Sequence, residues 1–312
     1  MIMKILFFIA QLAAFLLFSP FLSGLIARIK NNLRMRKGQS IFQPYFDLVK
    51  LFSKENVVSG TASWIYRVTP LVVLSATLTA ALFVPIFIFS SSASTAGDFL
   101  VLVFVFAAGR FFMALSALDT ASSFGGLGAS REMFISSLAE PVFCLAIFAL
   151  YLEFGSTGII ASSGFHNFTA ASFSAGLALF MVMLAETSRI PIDNRETHLE
   201  LTMIHEAMVL EYSGKSLAFL EMAGHIRQMI WFFLIAQIIL PISVPTFTCN
   251  SSVIFSAAAW FLWYAGRIIL VAIAIAVLEV SVAKMRLFRA ADFFGFGFIL
   301  AVIAVIAAII KV

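Results

Sequence analysis

Between Glu186 and Gly214 the chain reads ETSRIPIDNRETHLELTMIHEAMVLEYSG, a stretch holding Glu186, Asp193, Glu196, Glu200, Glu206 and Glu211 together with His198 and His205. It is a long, acid-rich break in an otherwise hydrophobic sequence. Acids at or near membrane depth are expensive, and the usual reason to keep them is an ion path or a docking surface. More charges stand inside apolar runs: Arg110 in FAAGRFF, Glu140 in SSLAEPVFCLAIF, Arg267 in WYAGRII and Glu279 in AIAVLEVSV. Interior charges of both signs imply a core that is paired or hydrated. A carboxylate held between burial and a nearby arginine can take and release a proton near neutrality, and Glu140 and Glu186 have that character. Arg110 and Arg267 read as halves of structural ion pairs that lock helices. Glu153 and Glu279 lie nearer the ends of their runs and read as solvated.

Other chemistries fit poorly. His198 and His205 are separated by Leu-Glu-Leu-Thr-Met-Ile, unlike the i, i+4 pair of a helical zinc site. The glycine-rich GGLGAS at Gly125 to Ser130 lacks the lysine and the strand-to-helix setting of a phosphate loop, and reads as a tight turn between spans. Cys144 and Cys249 form neither a disulfide framework nor a metal motif, and neither a catalytic serine nor a cysteine nucleophile stands out. The expectation is a chain with no catalytic centre, bound cofactor or metal of its own.

The elements that must carry these charges are set by composition. Of 312 residues 62% are hydrophobic and 12% charged, with mean hydropathy +1.05; soluble domains have roughly 45–50% and about 25%. The class is a polytopic all-α membrane protein, and the apolar runs are too long for a soluble domain. Net charge +4 and pI near 9.2 carry no nucleic-acid reading, because in a membrane protein the placement of lysine and arginine matters more than their sum.

Apolar spans are expected at residues 5 to 27 and at about 70 to 90, 98 to 118, 132 to 154, 169 to 189, 225 to 244, 253 to 280 and 292 to 310, eight in all. The first could pass for a secretory signal. It is long enough to span, lacks a clear small-x-small cleavage site and leads into basic sequence, so it reads as a spanning helix. The loops near 91 to 97, 155 to 168 and 245 to 252 hold no lysine or arginine, whereas the other connections hold 16 of the 20. By the positive-inside bias, the 28–67 and 186–227 loops are cytoplasmic and both termini lie outside. Within 28–67, Phe42, Phe46, Val49 and Leu51 interleave with charge, as an amphipathic helix at the interface or against a partner would require. The whole chain reads as one membrane domain in a lipid bilayer.

Three sets of residues then resemble a known family. Glu186-Thr187-Ser188-Arg189-Ile190-Pro191-Ile192-Asp193, Glu200-Leu201 and Glu211-Tyr212-Ser213-Gly214 look like the signature of the subunit 1 family of respiratory NADH dehydrogenase, complex I. Gln43-Pro44, Asp47, Lys50-Leu51 and Lys54-Glu55 agree in the early loop, as does the eight-helix count. The HLELTMIHE run from His198 to Glu206 is similar to the branch of membrane-bound energy-converting nickel-iron (NiFe) hydrogenases, of the formate hydrogenlyase and hydrogenase-4 kind. Arg36-Lys37-Gly38-Gln39-Ser40 replaces the Gly-Pro-Asn-Arg turn of quinone-reducing members.

The resemblance implies a subunit of the prokaryotic cytoplasmic membrane that anchors a peripheral arm. Hydrogenase large and small subunits and iron-sulfur proteins would carry the iron-sulfur clusters and the NiFe centre, and antiporter-like membrane subunits would lie alongside. Glu140, Glu186, Glu200 and Glu211, with Arg189 and Arg195 as partners, are the expected ion-coupling residues. Asp193, Glu196, Glu206, His198 and His205 are the expected docking residues. Two alternatives remain open. A quinone-binding subunit of a complex I-like dehydrogenase would show a tail-sized cavity between the early amphipathic helix and the 186–214 loop. A stand-alone secondary transporter would show inverted repeats, and the sequence holds no convincing one.

Overall fold

The computed structural model describes residues 2–60, 62–84, 97–159, 169–194, 203–240 and 253–310. They form helices α1 (Ile2–Leu33), α2 (Gln43–Phe52), α3 (Trp64–Phe83), α4 (Phe99–Asp119), α5 (Ser123–Phe154), α6 (Ala170–Glu186), α7 (His205–Val209), α8 (Gly214–Ile239), α9 (Val253–Ser281) and α10 (Ala290–Ile310). Among the described residues seven helices are long and apolar enough to cross a membrane, and α6, at 17 residues, is a shorter eighth. Seventeen residues rise only about 26 Å against a hydrocarbon core of about 30 Å. The chain therefore leaves the helix at membrane depth, just where the polar stretch begins.

α8 is the axis of the bundle. Its second half is buried on every side, with Ile230, Trp231 and Phe232 fully buried, as expected of a helix enclosed by others. α3, α1, α6, α9 and α2 pack around it. On the flank, α10 lies on α5 and α6 through Gly297, Ala301, Ala304 and Ala308, all buried. A Cβ on Gly297 would sit 3.4 Å from Val142 and 3.5 Å from Met181. Lipid tails are as apolar as leucine, so close packing of small residues is what holds such a face. The opposite face of α10 leaves Phe296, Ile299, Ile303 and Ile306 exposed, a surface for lipid or a neighbouring subunit.

The expected amphipathic helix is α2, begun by Pro44 in its first turn. Leu48 is buried while Phe42, Phe46 and Val49 are exposed, and the Tyr45 hydroxyl donates to the carbonyl of Leu17 in α1. Four contacts bring the basic ends together. Lys30 at the end of α1 meets Glu279 near the end of α9, Lys284 before α10 meets Asp193 after α6, Met285 N–H donates to the Pro191 carbonyl, and Ser213 bonds the backbone of Val57. Gly214 has φ +50°, and a Cβ there would come within 2.3 Å of the Glu55 carbonyl oxygen, so the two loops touch only because this residue has no side chain.

Several expectations are corrected. GGLGAS is not a turn between spans: residues 125–130 are the first turns of α5, capped by Ser122, whose hydroxyl accepts from Gly125 N–H at 3.0 Å. A Cβ on Gly128 would lie 2.9 Å from that of Ala207, so the glycine lets α7 approach the helix. The 186–227 loop is shorter than expected, since residues 214–227 already belong to α8. Among the described residues Arg267 pairs with no carboxylate. It donates to the carbonyls of Ala236, at 2.7 Å, and Leu240, closing the C-terminal end of α8, where carbonyls lack helical partners. Glu153 is not simply solvated: it accepts the hydroxyl of Thr169, the N-cap of α6. Glu279 is only 3% exposed.

Candidate functional site

The ETSRIPID motif makes a compact turn at the end of α6. Arg189 N–H donates to the Leu184 carbonyl at 2.9 Å, Ile192 and Asp193 N–H donate back to the Arg189 carbonyl, and Ser188 adopts φ +50°. The turn sends the flanking charges in different directions. Glu186, 7% exposed, points at Arg110 of α4, whose guanidinium pairs with both Glu186 and Glu140, the latter at 2.6 Å. Two of the expected coupling carboxylates thus share one arginine. The Glu140 side chain is 43% exposed, so this cluster begins in the core and reaches the flank of the bundle.

Arg189 joins a different cluster. It donates to Glu279 Oε1 at 2.8 Å and to Gln228 at 2.8 Å, and Lys30 Nζ lies 3.0 Å from Glu279 Oε2. Ser23 donates to Gln228 at 3.2 Å and is 2.8 Å from His225 Nδ1. A hydrogen-bonded series therefore runs from His225 through Ser23, Gln228, Arg189 and Glu279 to Lys30. Among the described residues, Arg189 Nε and Gln228 Nε2 have no hydrogen-bond partner. This series lines a polar cavity of about 410 Å³ between α1, α2, the ETSRIPID turn and α8, with Asp47, Asp193, Glu206 and Glu221 also in its wall.

Glu132 of α5 is within electrostatic reach of Arg110, Arg227 and Asp193. Asp193, expected at the docking rim, lies beneath it at 2% exposure. It accepts from Lys284 Nζ and Asn194 N–H at 2.8 Å and from Ile204 and His205 N–H at 3.3 and 3.1 Å, and so seats the start of α7. Glu206 faces the cavity, while Glu211 is exposed on the surface. Arg195, Glu196, His198 and Glu200 lie outside the described residues. No group of three or more His, Cys, Asp or Glu that could hold a metal occurs among the described residues.

The EYSG motif serves architecture. Tyr212 stacks on Tyr66 with ring centroids 4.2 Å apart and 5° between planes. Its hydroxyl reaches Ser116 and donates to the Tyr66 carbonyl at 3.1 Å, while the Tyr66 hydroxyl donates to the Glu211 carbonyl at 2.6 Å. Burial pushes the Tyr212 phenol up to about 12, with the Ser116 hydrogen bond acting against it.

Sequence reasoning passed over Lys30, Ser23, Glu132, Glu221, His225 and Gln228. A signal was present in two of the helices. Glu132, Ser136 and Glu140 recur every fourth residue on α5, and Glu221, His225 and Gln228 recur at i, i+4, i+7 on α8, each a polar stripe on one helix face.

Charge counting divides the roles. Lys30, Arg189 and Glu279 carry two positive charges against one negative, and Glu279 is bonded to both cations. Arg110, Glu140 and Glu186 carry one positive against two negative. Removing one of these carboxylates therefore still leaves the arginine paired with the other.

A family model described as NADH dehydrogenase matches residues 3–310. The chain is 34% identical to hydrogenase-4 component C of Escherichia coli K12 over 76% of each protein. It is 30% identical to formate hydrogenlyase subunit 4 of the same organism over 98% of this chain and 100% of the relative. A solved archaeal respiratory membrane complex, the membrane-bound sulfane sulfur reductase, contains a chain of the same fold, with TM-score 0.83, 20% identity, and coverage of 97% of this chain and 99% of that one. The eight apolar helices, the motif turn and these relatives lead to one conclusion: the chain belongs to the NADH dehydrogenase subunit 1 family, among relatives that include hydrogenase-4 component C and formate hydrogenlyase subunit 4.

Proposed function

We propose that this chain is the membrane-anchoring, ion-coupling subunit of an energy-converting NiFe hydrogenase of the formate hydrogenlyase kind, in the cytoplasmic membrane of a prokaryote with both termini outside. One observation carries the reading: cations and carboxylates pair between helices distant in sequence, Lys30 and Arg189 with Glu279 at the loop-side cavity, Lys284 with Asp193, and Arg110 with Glu186 and Glu140 toward the flank. Keeping so many charges among packed helices is costly unless they are paired and used.

The loop face made by α2, the ETSRIPID turn and α7 is where a peripheral arm of hydrogenase large and small subunits and iron-sulfur proteins would dock. Iron-sulfur clusters and a NiFe centre in those partners would supply the electron transfer. On this chain, a change of charge at the cavity acts first on Arg189, which Gln228 and Glu279 share. Arg227 and Glu132 relay the altered field to Arg110. The surplus carboxylate of the Arg110 cluster then gains or releases a proton, and half-exposed Glu140 presents it to an adjacent antiporter-like subunit. A sodium-moving complex would use the same charge shift to drive that neighbour.

A quinone-binding role is favoured by the place of the cavity, between α2 and the turn. Its charged wall suits water and ions better than an isoprenoid tail, which supports the hydrogenase reading. Purifying the native complex and assaying metal content, hydrogen evolution and quinone reductase activity separates the two. Nickel with hydrogen evolution supports the proposal, and quinone reduction without nickel overturns it.

A further inference from the structure

α9 and α10 are consecutive in sequence but splay apart: α9 lies on α1 and α8, whereas α10 lies on α5 and α6. The gap is an apolar groove of about 430 Å³. Leu177 and Leu184 of α6 form its floor, Leu278 of α9 and Phe296 of α10 its walls, and Met285 its end at the loop side. From Leu177 to Leu184 is about 10 Å of helix against about 15 Å for one leaflet of hydrocarbon. That is the dimension of the upper part of a lipid chain.

The charge at its mouth selects among lipids. Arg286 and Arg289, exposed on the segment that bridges the two helices, flank Phe288, itself 87% exposed. Among the described residues neither arginine takes part in an ion pair, whereas Lys284 is engaged by Asp193. Asp292, one turn beyond Arg289, is the nearby acid in sequence, so two guanidiniums face one carboxylate. An aromatic ring between arginines, at the end of an apolar groove, is a headgroup-depth arrangement. Guanidinium pairs bind phosphate through parallel hydrogen bonds, and basic pockets between membrane helices on this side hold anionic headgroups.

We propose that this groove is a binding site for an anionic diacyl phospholipid, with its phosphate on Arg286 and Arg289 and one acyl chain between α9 and α10. The lipid would fill the opening beside the turn that carries Arg189, since Pro191 and Leu184 line the groove as well.

The test uses the purified full chain in detergent, titrated with phosphatidylglycerol and phosphatidylcholine of identical acyl chains and read by native mass spectrometry. Phosphatidylglycerol is expected to bind at roughly thirtyfold lower concentration, from about 1 kcal/mol for each of the two arginines near a membrane surface. The doubly substituted Arg286→Gln, Arg289→Gln chain should lose that preference while phosphatidylcholine binding is unchanged, and Lys215→Gln, at the start of α8, should keep it. Equal binding of the two lipids, or a preference that survives the double substitution, overturns the proposal. So does a cross-link from Phe296→Cys to a helix of another subunit, rather than to a photoactivatable phosphatidylglycerol, in the assembled complex.

Discussion

Arg189 donates to Glu279, ninety positions further along the chain, at 2.8 Å, although Glu186 is only three residues before it. The ETSRIPID turn is what separates them, giving Glu186 to Arg110 and Arg189 to the cavity wall. Glu186 and the cavity wall are therefore not in direct contact through Arg189, and the proposed coupling would have to pass through intervening side chains.

Glu279 is the only acid bonded to both Lys30 and Arg189 among the described residues. Glu279→Gln should remove the carboxylate that Lys30 and Arg189 share and lower stability by roughly 3 to 5 kcal/mol, seen as a large fall in melting temperature and in membrane abundance. Pairing it with Lys30→Met should recover part of the loss, because one of the two cations that Glu279 served is gone. An unchanged melting temperature for Glu279→Gln would show that the cluster does not support the fold.

Tyr212 offers a pH test outside the spans. Its phenol titrates near 10 when free and is pushed up to about 12 by burial. The unfolded chain thus releases this proton first, so the group's contribution is intact below pH 10 and declines as pH rises from about 10 to about 12. Tyr212→Phe should cost about 1 kcal/mol at neutral pH, the net value of a hydrogen bond, and should flatten the alkaline decline in melting temperature. A decline equally steep in the variant would assign it to other groups.

Cys144 lies one helical turn beyond Glu140 and is exposed on the bundle flank. In a Cys249→Ser background, a small membrane-permeant maleimide should label it readily in the isolated chain and several-fold more slowly in the assembled complex, where an adjacent membrane subunit covers Glu140. Equal rates would place that subunit elsewhere.

The fold was largely legible because spanning segments announce themselves by length and by the absence of charge. Among the described residues seven of the expected spans are long apolar helices and α6 is a shorter one, and the α2 amphipathic helix was visible in the spacing of Phe42, Phe46 and Val49. Boundaries failed where polar residues sit within helices: α5 starts at Ser123 and α8 at Gly214, since buried neighbours satisfy what looked like loop chemistry. Glu140 and Glu186 were legible as carboxylates in apolar runs, but their shared Arg110 was not. Partner choice is set by how helices cross. The same holds for Glu279, whose place near a helix end resembles solvation until α1 and the ETSRIPID turn cover it.

The central claim is that the Arg110 cluster carries the coupling, and Glu186→Gln tests it most directly. Glutamine keeps the size and removes the titration, while Glu140 still balances Arg110, so subunit abundance should stay near normal. The measurement is ions moved per electron in vesicles containing the complex, at matched abundance and with hydrogen evolution followed in parallel. Continued hydrogen evolution with a ratio that falls several-fold is the expected result; an unchanged ratio at normal abundance would contradict the account.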